Sequence, residues 1–355
     1  MVTLDIYRLD IENAEFQKID EIATYKNFQC TNSLNGVGGL MTELSIFDKK
    51  ATKDNLQRYR NQIAVRRDNR VIWWGPLVKV SGEMDDINGN LTLEASEYFY
   101  HFKARKTDKL VSYVNEDRQD IAWDLIDTVQ NRTNGTLLVE RGSYGASSDT
   151  SIDYAYAEIQ DSIEKLANVL DGFDFTFDPV LDSNNLITHT NFNCYYPMLG
   201  SYRKDLPALE IGVNVKKIGF VTNSELVNAG IAEGQGTGIV PISILEYEQS
   251  QKGYTRREVY QSYKDESLAS ILSLYLTAHL NRQSVEGFDI NAELMPTKIP
   301  TFDQITLGDI LNINFHIEDS GGYMDIKGQA RVIEMAITID ANGVERAIPK
   351  LQILG

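Results

Sequence analysis

Four histidines, two cysteines and 51 carboxylates are the side chains from which a reactive site in this 355-residue chain would have to be built. His189 stands five residues before Cys194, a spacing that makes a thiol nucleophile and its base only with a third group to orient the imidazole, and none is evident. His101, His189, His279 and His316 fall in different segments without an H-x-x-x-H pair. Cys30 and Cys194 have neither a C-x-x-C spacing nor histidines in register, so neither a zinc site nor a disulfide framework is expected. Neighbouring carboxylates such as Asp85-Asp86 arise by chance at this density and read as solvated turn residues, not as a glycosidase acid and base. Gly142-Ser143-Tyr144-Gly145 is no G-x-S-x-G elbow, because it lies in a polar loop with Ser147, Ser148 and Ser151. The run Gly234-Gln235-Gly236-Thr237-Gly238 matches neither phosphate-cradling glycine pattern and reads as a strand connection. Tyr98-Phe99-Tyr100-His101-Phe102 has rings that would stack on sugars or bases, but its place at the end of a strand-rich segment favours core or subunit-interface packing. No catalytic, cofactor-binding or metal residue is assigned, no cofactor is expected, and the chain is expected not to be an enzyme.

What the chain does carry is a repeated layout of strands. Between Asn61 and Glu97 the order is a short strand (Gln62 to Arg67), a turn at Asp68-Asn69, a long strand (Val71 to Met84), a turn at Asn88-Gly89 and a closing strand (Leu91 to Ala95). Between Gly308 and Gln352 it recurs as Ile310 to Phe315, Asp319-Ser320-Gly321-Gly322, Met324 to Asp340, Asn342-Gly343 and Ile348 to Ile353. Asn-Gly between alternating apolar residues is a strong hairpin signal, since both residues tolerate the positive φ of a type I′ turn. A duplicated β-module points to pseudo-symmetric assembly.

Alternation of period two dominates from Leu4 to about Arg105. Between Val114 and Tyr202 the period changes to helical, with Ile121, Leu125, Ile126 and Val129 on one face and Ile159, Ile163, Leu166, Ala167 and Leu170 on another, stopped by Gly172. Strands are expected at Phe173 to Phe177 and Leu186 to Thr188, then at Leu209, Val213 to Ile218 and Leu226 to Gly230. A helix with Leu268, Ile271, Leu272, Tyr275, Leu276 and Leu280 on one face follows. The expected division is therefore 1–105 as a first β-barrel module, 106–205 as an α+β insertion domain, 206–250 with 285–355 as a second β-barrel module, and 251–284 as a helical insertion.

Charge and hydropathy narrow the function classes. The balance of 51 acidic against 34 basic side chains, −17 in all, is the reverse of the basic footprint that a nucleic-acid binder needs. The start Met1-Val2-Thr3-Leu4-Asp5 has no basic or apolar leader, and the apolar stretch from Val71 to Val80 is broken by Gly75, Pro76 and Lys79, so neither secretion nor a membrane span is expected.

The arrangement resembles one known family. Asn35-Gly36-Val37-Gly38-Gly39-Leu40 leads into a strand; Arg67-Asp68 ends a strand and Trp74-Gly75 sits in the apolar strand after the turn. Leu226 to Gly230, Tyr254-Thr255-Arg256-Arg257-Glu258 and Leu307-Gly308-Asp309-Ile310-Leu311 follow in order, with Thr255 where the family has glycine. Together these resemble the hub proteins at the tip of contractile and long flexible phage tails, including minor tail proteins of phages of Gram-positive bacteria. The resemblance implies a fold that is mainly β with α+β insertions, with two tube-like β-barrel modules per chain, duplicated. It further implies a homotrimer whose six barrels form a pseudo-six-fold ring adapting the tail tube to the tip. The partners implied are the chain itself, a tail tube or distal tail protein, and tip or fibre proteins, with DNA passing without specific binding. The place implied is the virion tail, assembled in the host cytoplasm. An acidic lumen would repel passing DNA weakly. Secretion-needle hubs share the fold, and fold alone does not set function. Two alternatives stand beside this reading: a carbohydrate-binding or host-surface-binding module of the tail tip, and a hydrolase with its site in the middle α+β segment around His189 and Cys194.

Overall fold

The alternating segment before residue 100 folds into seven strands: β1 (Val2–Asp10), β2 (Glu15–Ile22), β3 (Lys26–Ser33), β4 (Gly39–Ser45), β5 (Asn61–Arg67), β6 (Arg70–Met84) and β7 (Gly89–Ser96). The computed structural model describes residues 2–85, 87–169, 171–222, 227–234, 243–246, 255–263, 268–283, 288–316 and 325–354. Asp86, Leu170, Leu226, Tyr254, Met324, residues 235–238 of the glycine-rich loop and the Asp319 to Gly322 turn lie outside the described residues.

The local chemistry of the three hairpins differs from the expectation. At Asp68-Asn69 both residues have positive φ, 49° and 66°, which is the type I′ geometry that joins β5 to β6. The two Asn-Gly sites instead close as turns capped by an aspartate side chain. The Oδ1 of Asp85 accepts from the amides of Ile87 and Asn88, at 2.9 and 2.6 Å. The Oδ1 of Asp340 accepts from Asn342 and Val344, at 2.9 and 3.1 Å, with Gly343 alone at φ +78°. An aspartate two or three residues upstream offers the backbone a local acceptor, and that bond replaces the mirror-image turn.

The middle of the chain supplies β8 (Leu110–Asp117), α1 (Arg118–Gln130), β9 (Val139–Arg141), β10 (Asp149–Ala155), α2 (Ile159–Ala167), β11 (Asp174–Leu181) and β12 (Ile187–Tyr195). Asp117 caps α1 by accepting from the Gln119 amide at 2.8 Å. Strands β8 and β10 pair with each other, and β11, β12 and β9 form a separate three-stranded sheet. This α+β body shares one core with the first strand set. Ile121, Ile126, Ile163 and Phe192 pack in the same cluster as Tyr7, Trp74, Phe99 and Phe102. Trp73 and Trp74 face opposite sides of β6, so one joins the core of the first strand set and the other this shared core. Gly75 follows because a Cβ there would lie 1.9 Å from the Ser96 carbonyl oxygen.

The last part of the chain contributes β13 (Leu209–Glu210), β14 (Val215–Thr222), β15 (Ala229–Glu233), β16 (Ser243–Glu246), β17 (Glu258–Ser262), α3 (Ala269–Gln283), β18 (Phe288–Leu294), β19 (Ile310–His316), β20 (Asp325–Ile339) and β21 (Glu345–Leu354). Here one boundary moves. Residues 206–250 are expected within the second barrel, yet β15 and β16 pair with β17 in a small sheet of their own. Helix α3 covers that sheet through Leu272, Leu276 and Leu280, packed with Val227 and Ala232. The apolar residues of β15 therefore serve the inserted helix and not the barrel.

The architecture is mainly β, and its central fact is a sheet of 13 strands among the described residues, with a repeated order. The sequence β3-β4-β7-β6-β5-β1 in the first copy is matched by β14-β18-β21-β20-β19-β13 in the second. The match reaches single residues. The β6–β7 register slips between Leu77 and Lys79, and the β20–β21 register slips between Val332 and Glu334. Just past each slip stands a cross-strand ion pair with its signs exchanged: Lys79–Glu94 at 2.5 Å in one copy, Lys350–Glu334 at 3.0 Å in the other. Each copy has its own apolar core, centred on Leu4, Ile63 and Leu77 in one and on Leu311, Phe315 and Val332 in the other.

Candidate functional site

The residues with chemical potential do not converge. His189 and Cys194 lie on one strand, β12, an odd number of positions apart and so on opposite faces, roughly 16 Å apart along it. The imidazole of His189 meets Thr188 Oγ1 at 2.9 Å and Glu140 Oε2 at 3.5 Å. Cys194 is buried, and that burial pushes its thiol upward, away from the reactive thiolate. His101 is within 3.1 Å of Gln62 Oε1, and burial holds it down to about 3, so its ring is neutral. His279 lies 3.5 Å from Gln261, and His316 lies 3.2 Å from Asp325. The ring run is core: Tyr98, Phe99 and Phe102 are buried, with Tyr98 stacked on Trp74 at 5.6 Å. Among the described residues no group of three or more His, Cys, Asp or Glu side chains is placed to hold a metal, and no described helix is long and apolar enough to cross a membrane.

What the fold does bring together is a seam. Strand β3 of the first copy runs antiparallel to the second half of β20, from Ser33 opposite Glu334 to Phe28 opposite Ile339. Its core face is buried: Phe28 and Cys30 meet Ile337, each no more than 2% exposed. Ion pairs bracket it, with Arg67 on both Asp303 and Glu345 and Arg70 on Asp303. At its other end Asp174, 4% exposed, joins three parts of the chain. It accepts from Asn35 Nδ2 at 2.7 Å, from the Leu199 amide at 2.6 Å, and from Arg331. Beside the seam, Glu97 accepts from the amides of Ser33 and Gly38. Burial pushes its carboxyl up to about 8 against the pull of those two amides.

The same backbone edges in the opposite copies have no partner strand among the described residues. The edge of β20 that carries β19 over Asp325–Arg331 goes on to carry β3. The corresponding edge of β6 carries β5 up to Pro76, and beyond it no described strand pairs with Val78–Met84 on that side. Likewise β14, the counterpart of β3, ends the sheet among the described strands. An exposed row of backbone donors and acceptors is a template for another strand.

No family model matches this sequence, and no curated protein matches it. Solved structures do match. A tail protein from Neisseria meningitidis superposes with a TM-score of 0.60 at 9% identity, over 99% of this chain and 96% of that one. A prophage tail protein from Listeria monocytogenes gives 0.57 at 12%, over 99% and 94%. A component of the E. coli type VI secretion system, itself described as similar to two T4 tail proteins, gives 0.50 at 8%, over 93% and 74%. The fold is that of phage tail proteins. Within this tail-protein fold it is the pairing across the seam that the sequence pattern passed over. In β3 only Phe28 and Cys30 mark the buried face, too short an alternation to announce a strand. Asp174 and Arg331 are 157 positions apart, and nothing local in either neighbourhood signals the other.

Proposed function

We propose that this chain is a structural, non-enzymatic hub of a phage tail tip. Three copies close into a pseudo-six-fold ring that adapts the tail tube to the tip. The first barrel comprises residues 1–105, the α+β insertion 106–205, and the second barrel 206–222 with 288–354, with the small sheet of β15, β16 and β17 and helix α3 inserted between its two parts. A tail tube or distal tail protein is the partner on one side, tip or fibre proteins on the other. The ring sits in the virion tail, assembled in the host cytoplasm, and DNA passes through it without specific binding, a reading favoured by the charge of −17. The observation that carries the proposal is the repeated six-strand order joined by a head-to-tail seam, β3 of one copy on β20 of the other. A heterologous contact of that kind, repeated, makes a ring or a helix and not a two-fold dimer. Electron cryo-microscopy of the tail tip tests it: one ring of three chains is the expected result, and a single copy outside any ring overturns it.

A glycan-binding reading is favoured by one feature, a cleft of about 430 Å³ between α2 and α3 lined by Tyr154, Tyr263, Tyr275, Glu158 and Asp161. Glu158 and Asp161 offer acceptors for sugar hydroxyls, and Tyr263 is the half-buried ring beside the buried Tyr154 and Tyr275. Titration with host-wall glycans, read by chemical-shift changes at these tyrosines, separates the two roles.

A further inference from the structure

We infer that the open edge of β14 pairs with the far half of β6 in a second copy of this chain, in a register that the seam within the chain dictates. The inference rests on the hub reading and adds the contact that closes the ring. The copies align residue by residue through their shared partners. Ile337 corresponds to Gly82 and Ile339 to Met84, counted from the matching slips in β20 and β6. Cys30 corresponds to Phe220, because Cys30 faces Leu40 and Phe220 faces Ile290, and these two in turn face Ala95 and Leu351. Carrying the Cys30–Ile337 pairing over puts Phe220 opposite Gly82. Ile218 then meets Met84, Val221 meets Ser81, and Lys217 meets Asp85.

That register is chemically consistent on both faces, which was not imposed by the alignment. On the core face Ile218 and Phe220 meet Met84, and Phe220 and Met84 are 37% and 68% exposed in the single chain. Gly82 has no side chain there, and Leu91 lies 2.7 Å from where a Cβ would stand, so the ring of Phe220 meets the Leu91 side chain that packs over the glycine. On the outer face the exposed Lys217 falls opposite Asp85 and diagonal to Glu83, both exposed. A slip of one residue that set Lys217 opposite Met84 would set Phe220 opposite the exposed, polar Ser81. The occupant is therefore another copy of this chain, whose edge carries the complement of both faces.

Paired cysteines test the register in the assembled tail. Directly opposite strand residues lie within the Cα separation that a disulfide spans, and positions offset by two do not. Ser81→Cys with Val221→Cys is expected to yield reducible dimers and trimers on mild oxidation, at least ten times more than Glu83→Cys with Val221→Cys. Wild type, whose Cys30 and Cys194 are buried, is expected to give none. Equal or greater crosslinking of the offset pair overturns the register, as does no crosslinking by either pair in particles that show a ring; the hub reading survives both. Particles without any ring overturn the hub reading and this inference with it.

Discussion

Two copies of one β-module have met different fates in this chain. In the second copy the outer half of the long strand β20 is covered, and Met335 and Ile337 are 4% and 1% exposed. In the first copy the matching stretch of β6 is bare, with Met84 at 68%. The residues differ to fit, apolar isoleucine where β3 covers the strand and glycine where no described strand does. The fifth strand differs more. Position β5 is flanked by nine-residue β1 running antiparallel, whereas β19 is flanked by two-residue β13 running parallel. The four central strands are thus held by their shared core, and the flanks are free to change. Duplication followed by asymmetric covering is a way for one chain to make one interface internally and offer its counterpart to a neighbour.

The largest effect separating the copies is expected at Ile337. Its truncation, Ile337→Ala, opens a cavity in the first core from a strand of the second copy and should lower unfolding free energy by about 2–5 kcal/mol in urea. Met84→Ala, the same operation one turn of the pleat along the other copy, should change it by less than about 0.5 kcal/mol in the isolated chain. If the two cost the same, the seam is not what distinguishes the copies. Next comes Arg331, which stands where the first copy has Pro76. Arg331→Ala leaves the buried Asp174 carboxylate without its cation and should cost about 2–3 kcal/mol, since the arginine is itself partly exposed. Pro76→Ala has no such partner to orphan.

Much of this was legible beforehand, and the reason is periodicity. Strands β5, β6, β19, β20 and β21 fall within a few residues of their expected bounds because alternating valine, isoleucine and tryptophan report a half-buried surface directly. The hairpin chemistry was legible only in part, because the decisive side chains, Asp85 and Asp340, precede the Asn-Gly pairs that carry the familiar signal. The seam was not legible. It depends on which edges meet across some 300 residues, and edge identity is a property of strand order, which no local pattern encodes.

Glu97 gives a pH-dependent test of the same comparison, since the second copy has Ile353 at that position. Its carboxyl is pushed from the usual 4.5 to about 8 by burial, so the folded chain keeps a proton that the unfolded chain has lost. Stability should therefore fall as pH rises from about 4.5 through 8, on the order of 1–2 kcal/mol between pH 5.5 and 7. Glu97→Gln keeps an acceptor for the Ser33 and Gly38 amides and should flatten that slope. A wild-type slope that survives in the glutamine variant assigns the dependence to another group.

The smallest effect concerns the ion pair whose signs the copies exchange. Lys79–Glu94 and Glu334–Lys350 occupy the same cross-strand position past the same register slip, so geometry favours opposite charges there and is indifferent to which strand carries which. Both pairs are at least partly exposed, which screens the attraction to about 0.2–1 kcal/mol. Reversing one member, Lys79→Glu, places two carboxylates opposite each other and should cost about 0.5 kcal/mol, a loss that shrinks as salt rises. Adding Glu94→Lys restores the opposite-sign pair in the orientation the second copy already uses, and should recover most of the loss in a double-mutant cycle. A double reversal as unstable as the single one would mean that the lysine stem packs on its own strand in a way glutamate does not reproduce. The exchanged signs would then reflect two local environments, and the residue-by-residue correspondence of the copies would end at the slip.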